Sequence, residues 1–197
     1  PYMVSLGANA PLSTGGTALN ITGDDKFKEN VALPFAFPFF GENKTSATIS
    51  SNGVIYFSKL QQGEDISSHE IFGLDAISSP IELARHKMIA GMWDDLVTTN
   101  IFMVQPDANH VIFRWEGTAF ENNQPISFET ELRSDGAIVY RYGSGNTGLH
   151  PVVGISAGEP DPYVVESHTM PSPSAKDLTN AQSVILAPRV FVTRPPP

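Results

Sequence analysis

The stretch VIFRWEGTAFENNQPISFETELRSDGAIVYRYG, residues Val111 to Gly143, decides the fold class of this chain. Apolar and polar side chains alternate along it in three successive runs that are separated by turn residues. In the first run Val111, Phe113 and Trp115 share one face, which is typical of a strand with one side in a core. We therefore predict an antiparallel meander, because antiparallel sheets tolerate one solvent-facing side.

The second and third runs predict a hairpin. Four polar side chains share one face of the second run, and we expect that face to be in solvent: Ser127, Glu129, Glu131 and Arg133. Asp135-Gly136 then breaks the alternation and favours a type I′ turn. Upstream, Ser51-Asn52-Gly53 lies between two β-branched and aromatic stretches and predicts a second hairpin in the same way.

Further strands are predicted on both sides of the meander: Val31 to Phe40, Thr45 to Ser50, Val54 to Ser58, Lys87 to Trp93, Leu96 to Gln105, Val152 to Ser156, Tyr163 to Glu166 and Ser183 to Val192. Pro34 and Pro38 lack the N–H that a central strand donates, so the first of these should be an edge or bent strand. The one predicted helix is Ser79 to Arg85, with Ser79 as N-cap and Pro80 in the first turn. The chain is thus predicted to be an all-β, antiparallel β-sandwich, jelly-roll-like or Ig-like, with at most one short helix.

The length of 197 residues suggests one domain, spanning residues 1–197, with 189–197 as the end of a terminal strand and the start of a Pro-rich linker. Twelve Lys and Arg stand against 21 Asp and Glu, and this net charge of −9 argues against a nucleic-acid partner. No apolar run is long enough to span a bilayer. The chain has no Cys, which excludes disulfides and thiolate metal sites.

Three blocks of sequence, taken in order, resemble a known module. The first joins LPFAFPFFG, Leu33 to Gly41, to TISSNGVIYFS, Thr48 to Ser58. The second is IAGMWDDL, Ile89 to Leu96, and the third joins Val111 to Phe120 with Ile126 to Gly143. Together they resemble the nidogen-like β-sandwich module of bacterial secreted and surface proteins.

The resemblance covers roughly residues 17 to 187 and implies an extracellular module without catalytic residues. We therefore expect a non-catalytic part of a bacterial secreted or cell-surface protein, acting in adhesion or as a subunit of an extracellular assembly, and not an enzyme. Its partner would be a protein or glycan at the cell surface. The alternative is a carbohydrate-binding or carbohydrate-active module, in one version stabilised by calcium.

One motif points to an esterase. Gly154 to Gly158, GISAG, matches the G-x-S-x-G nucleophile elbow that would present Ser156 to a substrate. However, Pro160 and Pro162 follow it and cannot propagate the required helix. His168 also lies too close in sequence for the usual order of a triad. A strand that ends in a glycine turn is the better interpretation.

Two other groups of residues resemble catalytic or metal sites. Glu129 and Glu131 share a strand face at a spacing of about 7 Å, within the range of roughly 5 to 9.5 Å that a glycosidase pair requires. The same spacing arises on any polar strand face. Five histidines have no metal-binding spacing and are expected at the surface or in turns: His69, His86, His110, His150 and His168.

Two pairs of adjacent acids, Asp24-Asp25 and Asp94-Asp95, are candidate calcium ligands, since Ca²⁺ takes six to eight oxygen ligands, often from loops. The EF-hand pattern is absent, and acids that are solvated or that accept hydrogen bonds from nearby amides are the favoured interpretation. We therefore assign no metal ligand, no cofactor and no catalytic residue. Whether either pair binds calcium stays open.

The final apolar stretch, Ser183 to Thr193, offers a possible mode of assembly. A terminal strand can add itself to the sheet of a neighbouring chain. Closure of its own sheet is the default expectation. Strand exchange that produces a homo-oligomer or filament is the alternative, because a chain end has no second connection to hold it.

Overall fold

The computed structural model describes residues 2–57, 79–169 and 174–189. This part of the chain forms two antiparallel sheets and one short helix, α1 (Pro80–Arg85). The strands in chain order are β1 (Tyr2–Gly7), β2 (Thr17–Ala18), β3 (Phe27–Phe39), β4 (Glu42–Ser50), β5 (Val54–Tyr56), β6 (Lys87–Trp93), β7 (Leu96–Asp107), β8 (His110–Ala119), β9 (Pro125–Arg133), β10 (Ile138–Tyr142), β11 (Val152–Ala157), β12 (Tyr163–Val165) and β13 (Ser183–Pro188). The predicted all-β sandwich with one short helix is confirmed.

The larger sheet has the order β1-β13-β10-β9-β8-β7-β2, and the smaller one the order β12-β11-β6-β5-β4-β3. The predicted meander is the centre of the larger sheet, where β7 to β10 pair in succession. One hydrophobic core contains side chains from both sheets. The extent of the domain over residues 1–197 stays a prediction, and the proposed linker from 190 onwards lies outside the described residues.

Alternation along the meander places aromatic rings between the sheets. Trp115 on β8 lies directly opposite Phe128 on β9, and their rings stack at 4.9 Å between centroids. The indole N–H of Trp115 donates to the carbonyl oxygen of Ser50, 2.8 Å away in the other sheet. Tyr140 and Tyr142 on β10 are fully buried and donate to the carbonyls of Gly154 and Gly91. These bonds tie the two layers together and satisfy the polar ends of the rings.

The outer side of the smaller sheet is also covered. Helix α1 packs there against β11 and β6, and its Leu83 joins a second apolar cluster that contains Met88 and Trp93. With the core on one side and the helix on the other, β6 is buried on both faces. The helix begins as predicted, with the Ser79 Oγ accepting a hydrogen bond from the N–H of Ile81.

The proline-containing strand β3 is an edge strand, which is one of the two forms predicted for it. It lies at one end of the smaller sheet, and its pairing with β4 shifts register between Lys28 and Val31 and again between Ala32 and Phe37. Pro34 lies within the second shift, where its missing N–H interrupts the ladder of hydrogen bonds.

Both predicted hairpins form, but the type I′ turn predicted at Asp135-Gly136 does not. A type I′ turn needs positive φ at two successive residues. Here only Gly136, at φ 89°, and Gly53, at φ 80° in the other hairpin, have positive values; Asp135 and Asn52 do not. Each glycine instead ends a longer turn. At Gly53 the close approach is decisive, because a Cβ there would lie 2.2 Å from the carbonyl oxygen of Met92.

The terminal strand β13 pairs within its own sheet, which was the default expectation. It lies between β1 and β10 and pairs with both. The first strand, β1, was not predicted; its partner in the sheet, β13, lies at the other end of the chain. The predicted continuation of β13 from residue 190 lies outside the described residues.

Candidate functional site

Ser156 of the G-x-S-x-G motif lies on β11 and is fully buried. Its Oγ donates to the carbonyl oxygen of Ala84 at 3.1 Å and accepts from the N–H of Gly158 at 3.0 Å. Among the described residues no histidine bonds to it, and His168 is engaged elsewhere. The motif therefore forms the end of a strand, which is the interpretation that the sequence favoured. Its serine in addition bonds to helix α1.

The polar face of β9 is not in solvent, so that expectation is wrong for Glu129 and Glu131, which are 1% and 4% exposed. Arg141, on the neighbouring strand β10, bonds to both carboxylates. Arg133 donates to Glu131 at 2.6 Å. Both acids are therefore paired with arginines rather than open to a substrate between them.

The segment after β1 covers this polar face. Glu129 accepts hydrogen bonds from the N–H and the Oγ of Ser13, at 2.8 and 2.7 Å. Arg114 donates to the carbonyl oxygens of Ser13 and Gly15 at 2.9 and 3.0 Å, and its guanidinium lies 4.8 Å from the ring centroid of Phe102. The face is thus buried by a strap of main chain that the strand sequence alone does not reveal.

The pairing changes the titration of Glu131. Burial by itself raises the pKa of this carboxyl, but the hydrogen bonds and charges of Arg133 and Arg141 outweigh burial, so the pKa lies below its ordinary value. The group therefore stays ionised, which is the form that holds the two arginines.

His168 lies in a turn, as expected, but it is buried rather than at the surface. Its Nδ1 is 2.8 Å from a carboxylate oxygen of Glu166, and its Nε2 is 2.8 Å from the carbonyl oxygen of Gln182. Burial lowers the pKa of His168, but its bonds to Glu166 and Gln182 win and raise it. Burial likewise raises the pKa of Glu166, yet the bonds from His168 and Ser167 lower it to about 2. Both pKa shifts favour the charged forms of the two groups, and the pair joins the chain after β12 to the approach to β13.

The four acids considered for calcium separate into two roles. Asp94 is buried, and its carboxylate accepts from the N–H groups of Asp95 at 2.9 Å and His150 at 2.6 Å. Burial raises its pKa despite these bonds. Asp94 is therefore an acid that accepts backbone hydrogen bonds, which is the favoured interpretation of the sequence.

The other three acids come together. Asp24, Asp25 and Asp95 each place a carboxylate oxygen so that these atoms lie within 4.8 Å of one another. The Oδ1 of Asp24 is buried and accepts no hydrogen bond. Three convergent carboxylate oxygens are the donor type that Ca²⁺ binds in proteins, so these residues are the ones that could hold a cation.

Asn52, in the β4–β5 turn, positions this cluster. Its Oδ1 accepts from the N–H of Leu96 at 2.8 Å, and its Nδ2 donates to Asp25 at 3.3 Å. Ser51 accepts from the N–H of Lys26 at 3.0 Å. The turn thus joins the segment before β3 to the segment before β7. Sequence reasoning identified the acids but not this role of Asn52, because the contact spans 44 residues.

A cavity of about 500 Å³ opens at the end of the sandwich near the first residues of β1. Its apolar wall includes Tyr2 and Phe40, whose rings lie 5.0 Å apart between centroids, and its polar wall includes Glu42 and Lys87, paired at 2.6 Å. The residues that line the cavity come from segments far apart in the chain, so no local sequence motif predicts the cavity.

The described part of the chain contains no helix that is both long and apolar enough to cross a membrane. Searches among curated proteins and among solved structures returned no match. The sequence pattern of the family described as NIDO related, by contrast, matches residues 3–191, which is nearly the whole chain. That family indicates an extracellular module, in agreement with the resemblance of the three sequence blocks. The chain belongs to the NIDO-related family.

Proposed function

We propose that this chain is a non-catalytic module of a bacterial secreted or cell-surface protein, acting in adhesion or as a building block of an extracellular assembly. One observation supports the proposal that the module is non-catalytic. The side chains that resemble catalytic groups, Ser156, Glu129 and Glu131, are buried and bonded to neighbours within the fold. Loops, edges and the end cavity remain as surfaces for contact with a partner.

Surface exposure tests this proposal first. Intact cells that carry the native protein are treated with a protease that cannot cross membranes, and an antibody against the module follows its loss. We expect the module to disappear from intact cells while a cytoplasmic marker stays whole. A module that is degraded only after lysis would overturn the extracellular assignment.

Adhesion is then tested by competition. Purified chain is added while cells attach to a surface or form their extracellular matrix, and attachment is counted. We expect a dose-dependent decrease, because the free module occupies the partner. The same chain, unfolded by heat before it is added, is the matched control. No decrease at saturating chain would contradict a binding role.

A calcium-stabilised module is a second candidate, supported by the convergence of Asp24, Asp25 and Asp95. Binding of a cation to the folded state alone stabilises it by about 2.7 kcal/mol at a concentration one hundred times the Kd. Thermal unfolding is measured with millimolar calcium and with chelator. We expect a higher midpoint with calcium and no shift in Asp24→Asn or Asp95→Asn.

The same variants supply an internal check. Removal of one of three adjacent negative charges should raise the midpoint measured in chelator, because like charges repel. Asp161→Asn, a change at an exposed loop acid, is the matched control and should keep the calcium shift. An unchanged midpoint of the wild-type chain in calcium rejects this candidate.

A further inference from the structure

The cavity at the end of the sandwich has the size of a small-molecule site. Its volume of about 500 Å³ falls within the range of about 300 to 1,000 Å³ that is usual for ligand pockets. The larger sheet supplies the start of β1, the turn after β9 and the end of β13, and the smaller sheet supplies the β3–β4 turn and the end of β11. Because both layers of the sandwich form its walls, the fold itself shapes the cavity.

The apolar wall of the cavity contains two aromatic rings that neighbouring groups hold in place. Tyr2 and Phe40 are partly buried, and their rings lie 5.0 Å apart between centroids. The hydroxyl of Tyr2 donates to the carbonyl oxygen of Gly136 at 3.2 Å. The ring of Phe40 also packs edge-on against the buried ring of Phe39, at 4.8 Å between centroids. Three prolines extend this wall: Pro38, Pro162 and Pro188.

Phe40 adopts a backbone conformation that an aromatic residue rarely takes. Phe40 has φ 46° and Gly41 has φ 86°. Phe39 pairs directly with Glu42 across them, so β3 and β4 are joined by a two-residue hairpin with positive φ at both positions, as in a type I′ turn. Asn, Asp and Gly are favoured there, whereas a bulky side chain is strained, and such strain is concentrated at functional sites. The sequence therefore places a ring at the cavity at a cost in local backbone stability.

The polar wall of the cavity mixes acids with bases. Glu42 and Lys87 are paired at 2.6 Å, and the other charged groups of the lining are Asp135, Asp161 and Arg189. An ionic ligand of either sign would meet charges of its own sign here, which is unfavourable. A purely apolar ligand would remove water from these groups and return no hydrogen bonds. A neutral ligand that donates and accepts hydrogen bonds, and that also has an apolar face, suits both walls.

A sugar ring combines these properties. Its hydroxyl groups can donate to carboxylates and accept from ammonium and guanidinium groups. Its C–H bonds form an apolar face that can pack on an aromatic ring. We propose that the cavity binds the terminal unit of a neutral glycan, with the apolar face of the sugar against Tyr2 and Phe40; this inference rests on the adhesion role proposed above and names a glycan as the partner.

Binding of the full chain to an array of immobilised neutral glycans, and to the same glycans carrying sulfate or sialic acid, tests this proposal. We expect binding to neutral glycans and weaker binding to their anionic forms, because Asp135 and Asp161 lie in the lining. Saturation-transfer NMR with the free neutral oligosaccharide should show the strongest signals from its ring C–H protons. Absence of glycan binding, or binding to anionic glycans alone, would overturn the proposal.

A peptide is the other ligand to be compared, since proline-rich segments dock on aromatic-lined grooves. The peptide Arg-Pro-Pro-Pro is added to the full chain in the same NMR measurement. We expect it to leave the signals of the bound oligosaccharide unchanged. Binding of this peptide by a chain that binds no glycan would assign the cavity to a protein partner and overturn the proposal.

Two variants locate the site. Phe40→Asn removes the ring and introduces a residue that the turn favours, so the chain should stay folded while its dissociation constant for the glycan rises at least about tenfold. Phe120→Asn is the matched control. Phe120 is 53% exposed and follows β8, at the opposite end of the β8–β9 pair from the turn that contains Asp135, so this variant should bind as the wild type does. Circular dichroism verifies that each variant is folded.

The pattern of losses decides the outcome. A folded Phe40→Asn chain that binds the glycan as tightly as wild type, or a Phe120→Asn chain that loses binding, would exclude the cavity as the site. The protease and attachment experiments on cells do not depend on a glycan. A chain that blocks attachment but binds no glycan would therefore contradict this inference and leave the proposed adhesion role standing.

Discussion

Strands β8, β9 and β10 bury both of their faces, and they do so by opposite means. The inner face packs Trp115 on Phe128 within the apolar core. The outer face buries Glu129 and Glu131 among arginines and beneath the strap at Ser13. The same alternation of residues thus produces an apolar layer on one side and a charged layer on the other.

The two layers contribute differently to stability. Burial of apolar area is favourable wherever it occurs, and its loss leaves a cavity. A buried ion pair must first overcome the desolvation of both charges, so its presence adds little, whereas removal of one partner leaves an uncompensated charge. The comparison teaches that a polar strand face is a surface only if nothing else in the chain covers it.

The largest expected effect is on the inner face. Trp115→Ala should lower the free energy of unfolding by about 4 kcal/mol, because it removes the largest buried ring and the indole hydrogen bond to the Ser50 carbonyl. Urea unfolding followed by circular dichroism measures the change. Phe120→Ala, at an aromatic residue that is 53% exposed, is the control and should change the value by less than about 0.5 kcal/mol.

A smaller loss is expected on the outer face. Glu129→Ala should cost about 3 kcal/mol, since the Ser13 N–H and one contact of Arg141 lose their acceptor. Glu116→Ala, on the same face but with a side chain 45% exposed, should cost at most about 1 kcal/mol. Equal losses in the two variants would mean that the outer face behaves as an ordinary surface.

Acid should weaken the outer layer before the inner one. The folded-state pKa of Glu131 is lowered, so its contribution is present above its unfolded pKa and is lost as pH falls through the folded pKa. We therefore expect the difference in unfolding free energy between wild type and Glu131→Gln to shrink as pH falls below about 4. The Trp115→Ala difference should stay nearly constant there.

The smallest effect on stability is expected at His168, and its pH dependence runs in the opposite direction to that of Glu131. Its folded pKa is raised, so its contribution is complete below its unfolded pKa and is lost as pH rises through the folded pKa. The stability difference between wild type and His168→Gln should therefore be greatest below about pH 6.5 and should decrease at higher pH. An increase toward alkaline pH would show that the imidazole is neutral in the folded state.

Local patterns were sufficient for most of the fold. The alternation from Val111 to Tyr142, the glycines of two hairpins and the cap at Ser79 each act within a few residues, so the sequence displays them directly. β1 escaped prediction because its pairing partner lies about 180 residues away. The sequence predicted which acids could form the candidate site. It did not predict that three of them converge, because that depends on the contacts of Asn52 with distant segments.

The sequence by itself determined the two-layer β architecture, the position of the helix and the identity of the apolar core, because side-chain periodicity and turn chemistry are local properties. Tertiary structure alone decided that Glu129 and Glu131 are buried, that Asp24 and Asp25 meet Asp95, and that β1 pairs with β13 from the other end of the chain. Each of these depends on which distant segment lies alongside, and periodicity carries no information about that.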